Sequence, residues 1–259
     1  MRLRGVCGAA GVGGWFSARG WCAAAVAVAV AGMPLVTPTH SPVTVRYRVT
    51  RTIPVGGLPY AVAVDSAAHT VYVANRADDM VSVIDAATGT VTRTIPVGAY
   101  PFGVAVDPAA GTVYVANADF GSHSTVSVID AATGNVTRTI PVGYGPGWVA
   151  VDPAARTVYV SNYDGGTVSV IDAATGSVTG TIPVGSGPFG VAVDPAARTV
   201  YVADFGGSTV SVIDGATSTV TATVRVGSDP EGVAVDPGIH TAYVANDGGN
   251  SVSMISRCM

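Results

Sequence analysis

The sequence predicts an all-β protein built from one four-stranded antiparallel unit used five times. Three observations carry this expectation. The first is composition: among 259 residues Leu occurs three times, Glu once, and Lys and Gln never. Those are the main helix formers, and without them a helical domain is hard to build. Val, Thr, Ala, Gly and Pro dominate instead, a strand-and-turn vocabulary. The second is periodicity: a V-A-V-D tract ends at Asp65, Asp107, Asp152, Asp194 and Asp236, at spacings of 42, 45, 42 and 42. The third is that turn residues cut each period into four short β-branched runs.

Within each period the runs follow in a fixed order. The V-A-V-D run ends in a D-P-A-A turn. Next comes V-Y-V-A-N, ending at Asn75, Asn117, Asn162, Asp204 and Asn246 with the same spacings. An N-x-x-G-G turn leads to V-S-V-I-D, ending at Asp85, Asp130, Asp172 and Asp214, with Ser256 in the fifth place. A D-A-A-T-G turn then leads to T-I-P-V-G, ending at Gly56, Gly98, Gly143, Gly185 and, as Thr223-Val224-Arg225-Val226, Gly227. The three-residue insertion lies in 119–124 of the second repeat. Four strands in about 42 residues is the pattern of a β-propeller blade, here with strands a to d from the axis outward. Blades stack face to face and bury both sides, so Val falls at successive as well as alternate positions. The five tyrosines Tyr72, Tyr114, Tyr159, Tyr201 and Tyr243 share one strand-b register and read as blade packing.

The repeat begins with a strand d at 48–55 and stops after a strand c at 251–255. The expected architecture is therefore a five-bladed ring of four-stranded antiparallel blades, occupying 47–259. In it the N-terminal strand d completes the C-terminal blade and hides two sheet edges.

Residues 1–46 lack this rhythm. Arg2, Arg4 and Arg19 precede an uncharged Ala/Val run from Trp21 to Ala31, and Ala29-Val30-Ala31 offers small residues where a signal peptidase reads. Residues 1–31 are expected to be a signal peptide, with a retained membrane anchor as the alternative, and 32–46 a linker. The apolar run is interrupted at Pro34, short of the ~20 residues that span a bilayer. Cleavage takes the 13 basic residues to 10 against 17 acidic ones, a net charge of −7, and leaves Cys258 alone. The expected location is secreted or at the cell surface, with membrane contact only if residues 1–31 are retained. The net charge of −4 on the whole chain speaks against a nucleic-acid partner.

The tracts V-Y-V-A-N, T-V-S-V-I-D and T-I-P-V-G-x-x-P-x-G-V-A-V-D resemble the YVTN β-propeller repeat family, five times over within 47–256. That resemblance implies a bacterial or archaeal, surface-layer-like propeller, a class commonly without an assigned activity. Related propellers more often carry seven blades, and five repeats depart from that.

Sorting the acids by repeat position separates two groups. Nine recur at the V-A-V-D and V-I-D turns, where Asp bonds to the backbone two residues on. The other eight are Asp78, Asp79, Asp119, Asp164, Asp204, Asp229, Glu231 and Asp247, assigned to b–c and d–a loops on one face with only Arg76 opposing them. The d–a loops also carry Tyr60, Phe102, Trp148 and Phe189. Since the units are otherwise near copies, Tyr60, Phe102, Trp148, Phe189, Asp229 and Glu231 are the expected ligand- or partner-binding residues. A rim that merely keeps a Lys-free protein soluble, and a plug of the channel mouth, are the plainer readings of the same residues.

No catalytic residues and no metal ligands are assigned. His69 and His240 share a turn position, but two histidines fall short of the usual three or four ligands. No cofactor is expected, and a Ca ion on the acidic face has no specific motif behind it. The function expected is a non-enzymatic, exported scaffold that binds a protein or cell-envelope polymer through the acidic loop face. The alternatives are a lactonase- or lyase-like propeller enzyme dependent on a divalent cation, or a purely structural surface-layer component.

Overall fold

The computed structural model describes residues 48–119 and 124–257. The expected signal peptide and linker therefore lie outside the described residues. The described chain forms nineteen strands in five antiparallel sheets. Blade 1 holds β1 (Pro59–Asp65), β2 (Thr70–Asn75), β3 (Met80–Asp85) and β4 (Thr90–Pro96). Blade 2 holds β5 (Pro101–Asp107), β6 (Thr112–Asn117), β7 (Thr125–Asp130) and β8 (Val136–Pro141). Blade 3 holds β9 (Pro146–Asp152), β10 (Thr157–Asn162), β11 (Thr167–Asp172) and β12 (Ser177–Pro183). Blade 4 holds β13 (Pro188–Asp194), β14 (Thr199–Asp204), β15 (Thr209–Asp214) and β16 (Thr219–Arg225). Blade 5 has three strands, β17 (Pro230–Asp236), β18 (Thr241–Asn246) and β19 (Ser251–Ser256).

The turns form as their residues dictate. Asp65, Asp107 and Asp152 each accept two backbone N–H bonds from residues two and three positions on, at 3.0–3.1 Å. In the c–d turns Asp172 and Asp214 do the same, and Asp85 and Asp130 accept the backbone N–H and the hydroxyl of the Thr three residues on. Those bonds, the Thr N–H foremost, hold the Asp85, Asp130, Asp172 and Asp214 carboxyls below their ordinary range. At the strand-b ends Asn75, Asn117, Asn162 and Asn246 are buried and donate from Nδ2 to strand-c Ser or Thr hydroxyls.

Four cores lie between successive blades. Ala61, Tyr72, Ala74, Val81 and Ile95 of blade 1 pack on Val104, Val113, Val115 and Ile129 of blade 2, and the pattern recurs at the next three junctions. Every blade thus has a leading face of Ala, Tyr and Val and a trailing face of Val and Ile. Burial pushes the Tyr72, Tyr114, Tyr159 and Tyr201 phenols up, as the blade-packing reading of these residues requires.

The ring closure expected from the sequence is not in place. Residues 48–55 form no strand, and β19 pairs with β18 alone. The reason is positional. The 48–56 segment is anchored to blade 1, where Arg51 donates to the carbonyls of Thr88 and Gly89 and Gly56 lies against Asn75. Arg138 reaches Thr175 of the following blade in the same way. The segment holds the place of an outer strand ahead of blade 1, and the sheet of blade 5 ends at β19.

Candidate binding site at the loop face

The site residues owe their position to a shared backbone irregularity. Each inner strand opens with a shift in its register against strand b, at Pro59/Ala61, Pro101/Val104, Val160/Asn162, Pro188/Val191 and Pro230/Val233. An extra residue in one strand bends it and re-aims its side chain. Tyr60, Phe102, Trp148, Phe189 and Glu231 all stand in this irregular stretch. The residue before each Pro is left-handed, with φ of 50° at Asp229 and 60° at Gly187, which turns the chain from the outer strand back to the axis.

The structure brings four of the six expected residues together. Tyr60, Trp148, Phe189 and Glu231 line one cavity of about 550 Å³, with Asp247 and Asn250 from the b–c turn of blade 5. No basic side chain lines it. Trp148 and Phe189 lie 6.0 Å apart, ring centre to ring centre. Burial pushes the Tyr60 phenol up, the Glu231 carboxylate adds to that, and Arg76 opposes it.

Phe102 and Asp229 stand apart from this cavity. Phe102 meets Tyr60 edge-on at 4.9 Å, and the Arg76 guanidinium sits 4.4 Å from the Phe102 ring centre. Phe102 therefore backs Tyr60 while Arg76 caps it by a cation–π contact. The Asp229 carboxylate packs against Gly248, and its backbone carbonyl accepts the Asp247 N–H at 2.9 Å. Asp229 orders the b–c turn that presents Asp247.

The acidic face is likewise partly spent on internal bonds. Asp78 accepts the Gly57 N–H at 2.6 Å and Asp79 the Tyr100 N–H at 2.8 Å, tying b–c turns to d–a loops. Asp204 is no surface charge. It is fully buried and accepts from the Gly185 N–H and the Thr209 and Ser211 hydroxyls.

Three further residues belong to the site and escaped the sequence reading. Tyr163 meets Phe189 edge-on at 6.2 Å and reaches Phe205 at 6.3 Å, extending the aromatic row along the b–c turns. Both follow strand b directly, a position that varies from repeat to repeat as Arg76, Ala118, Tyr163, Phe205 and Asp247. The third is Ser161, which replaces the Ala of V-Y-V-A-N. Its buried hydroxyl accepts the Trp148 N–H at 3.0 Å and donates to the Phe189 carbonyl. Among the described residues no three His, Cys, Asp or Glu side chains converge as a metal site would need.

Comparison with known proteins places this geometry in a family. The sequence pattern of the YNCE-like beta-propeller matches residues 24–153 and again 146–256. None of the curated proteins matches the chain. Solved structures that share its fold include the following two. A hydrazine synthase structure from Kuenenia stuttgartiensis is 21% identical, with a TM-score of 0.53 over 77% of this chain and 83% of that one. A functionally unknown protein from Desulfotomaculum acetoxidans is 16% identical, with a TM-score of 0.67 over 78% of this chain and 70% of that one. At such identities they speak for the fold alone. The family pattern, matched twice along the chain and consistent with five antiparallel sheets in series, shows that this protein belongs to the YNCE-like beta-propeller family.

Proposed function

We propose that this chain is an exported propeller that acts at the cell envelope as a binding module rather than an enzyme. Its partner carries a cationic group on an apolar body and enters the loop-face cavity. One observation carries this reading: three aromatic rings from three blades, Tyr60, Trp148 and Phe189, share a cavity with Glu231 and Asp247, and its lining holds no basic side chain, Arg76 standing outside it 5.9 Å from the Tyr60 ring centre. Aromatic faces attract a cation held within about 6 Å, and a carboxylate in a partly desolvated site adds to that attraction. Tyrosine and tryptophan offer large contact areas at low entropic cost, which suits them to the centre of an interface. Export is supported by the charged, then apolar, then Ala-Val-Ala order of residues 2–31.

Trp148 supplies the assay, since it lies in the cavity. Tetramethylammonium and a lysine-rich peptide, titrated at constant ionic strength, should change its fluorescence saturably. Phe189→Ala and Glu231→Gln should each weaken that response at least several-fold. A response that follows ionic strength alone, or that is equal in both variants, refutes the proposal. Export is checked separately: N-terminal sequencing of the protein from the native envelope fraction should begin near Gly32.

A further inference from the structure

The two end blades carry apolar faces that nothing among the described residues covers. On blade 1 the trailing face exposes Val62 at 64% and Val64 at 58%. Val104, Val149 and Val191, which hold the place of Val62 in blades 2 to 4, are 7%, 3% and 3% exposed. On blade 5 the leading face exposes Val252 at 63% and Met254 at 65%. Val81, Val126, Val168 and Val210, the counterparts of Val252, are all 0% exposed. Apart from Met254, which stands where the other blades have Val, the side chains on these end faces match those of the four packed junctions, and among the described residues they differ in having no blade beside them.

We infer that the leading face of blade 5 docks on the trailing face of blade 1 of a second copy of this chain. Four observations choose that occupant. The two end faces have the side chains of the two halves of each internal junction, so each copy carries both a lock and its key. The 48–56 segment is already anchored to blade 1 through Arg51 and Gly56, where it offers the unpaired edge of β19 a fourth strand. Polar pairing agrees: His240 of blade 5 meets the buried Asp194 of blade 4 at 2.7 Å. One junction further on, His69 of blade 1 repeats the place of His240, and the exposed Asp236 of blade 5 repeats that of Asp194. Finally, the four internal junctions are packed and alike, yet β1 and β17 do not pack as successive inner strands do. Closing the arc on itself would have to strain those cores, whose packing resists compression. A contact of this kind joins unlike faces, so it extends from copy to copy until a ring closes or a filament grows.

The test uses the full chain and two substitutions at exposed positions. Sedimentation velocity over a dilution series should show the wild type assembling beyond one chain. Val62→Asp spoils the trailing face and Met254→Asp the leading face, so each variant alone should sediment as a single chain. Mixed in equal amounts, they retain one good face each, and the mixture should form pairs and nothing larger. Val64→Asp and Val252→Asp serve as a second set if far-UV circular dichroism shows that either first variant is misfolded. A wild type that stays a single chain at every concentration overturns the inference, and points to closure within the chain instead. So does assembly of the single variants, or a mixture that fails to pair.

Discussion

Asp204 is the repeat's own experiment in burying a charge. Four blades put Asn at the end of strand b, and blade 4 puts Asp. The surroundings are closely similar: every blade has a serine on strand c and a glycine in the preceding d–a loop, and blades 2 to 4 start strand c with a threonine, where blade 1 has Met80 and blade 5 Ser251. Asp204 accepts from Ser211 at 2.8 Å, Thr209 at 3.0 Å and the Gly185 N–H at 3.1 Å. Three such bonds lower a carboxyl, but burial outweighs them and pushes Asp204 above its ordinary value of 3.8. The folded state therefore holds the proton more tightly than the unfolded chain. Stability from this group is greatest at low pH and is lost as pH rises from about 4 through the raised folded value. Asp204→Asn removes the charge, and its Nδ2 can donate to Ser211 as Asn162 does to Ser169 at 3.0 Å, while its Oδ1 takes the buried, unbonded place of the Asn75, Asn117, Asn162 and Asn246 Oδ1 atoms. The expected gain is on the order of 1 kcal/mol at neutral pH, shrinking towards zero at pH about 4. Urea denaturation of both proteins across that range measures it. A variant less stable than wild type at pH 7, or a difference that does not vary with pH, refutes the argument.

Other outcomes follow from the same physical chemistry. Ser218 has φ of 55° in the c–d turn of blade 4, where Gly89, Gly134 and Gly176 stand in blades 1 to 3. Ser218→Gly should stabilise by about 1 kcal/mol, read from the urea midpoint. Ile213 is fully buried in the core between blades 3 and 4, and Ile213→Ala should cost about 2–5 kcal/mol in the same assay. The Asp130 carboxyl is held low by the Thr133 N–H, so its stabilisation is present above about pH 4 and is lost as pH falls. Asp130→Ala should flatten the acid limb of the stability profile, and an unchanged limb would count against that account.

Much of the fold was legible because it is written five times. A tract such as V-Y-V-A-N is ambiguous once, but repeated at 42-residue spacing with fixed turns it specifies strand order and register. Residues whose role is local were read correctly for that reason: Asp65 or Asp85 bonds within three positions of itself. What depends on the curvature of the whole arc was not legible. The pairing of 48–55 with β19 is a matter of where two distant ends meet, and no residue in either tract encodes that. The site was legible in half. Variation at the d–a position exposed Tyr60, Trp148, Phe189 and Glu231, but Asp229, one residue from Pro230, turned out to serve the loop backbone. Variation directly after strand b carried the same kind of signal for Tyr163 and Phe205. It was hidden because an N-x-x-G-G turn reads as turn chemistry alone.

Ser161 tests whether the aromatic row is held as a unit. Its hydroxyl joins the backbones of two neighbouring blades at the residues that carry Trp148 and Phe189, and it is fully buried. The other blades have Ala74, Ala116, Ala203 and Ala245 in this place, so Ser161→Ala fits the available volume. What it removes is a two-way bond between blades 3 and 4, leaving a buried N–H and a carbonyl to find other partners. That loss should cost about 1–3 kcal/mol, more than a change to a residue common at this position would suggest. If the bond also fixes the separation of the two rings, the Trp148 emission should shift and its anisotropy decay should quicken. The response to tetramethylammonium should weaken alongside. Lost stability with unchanged fluorescence and binding would show that Ser161 only joins the blades and that the rings are positioned by the register shift alone.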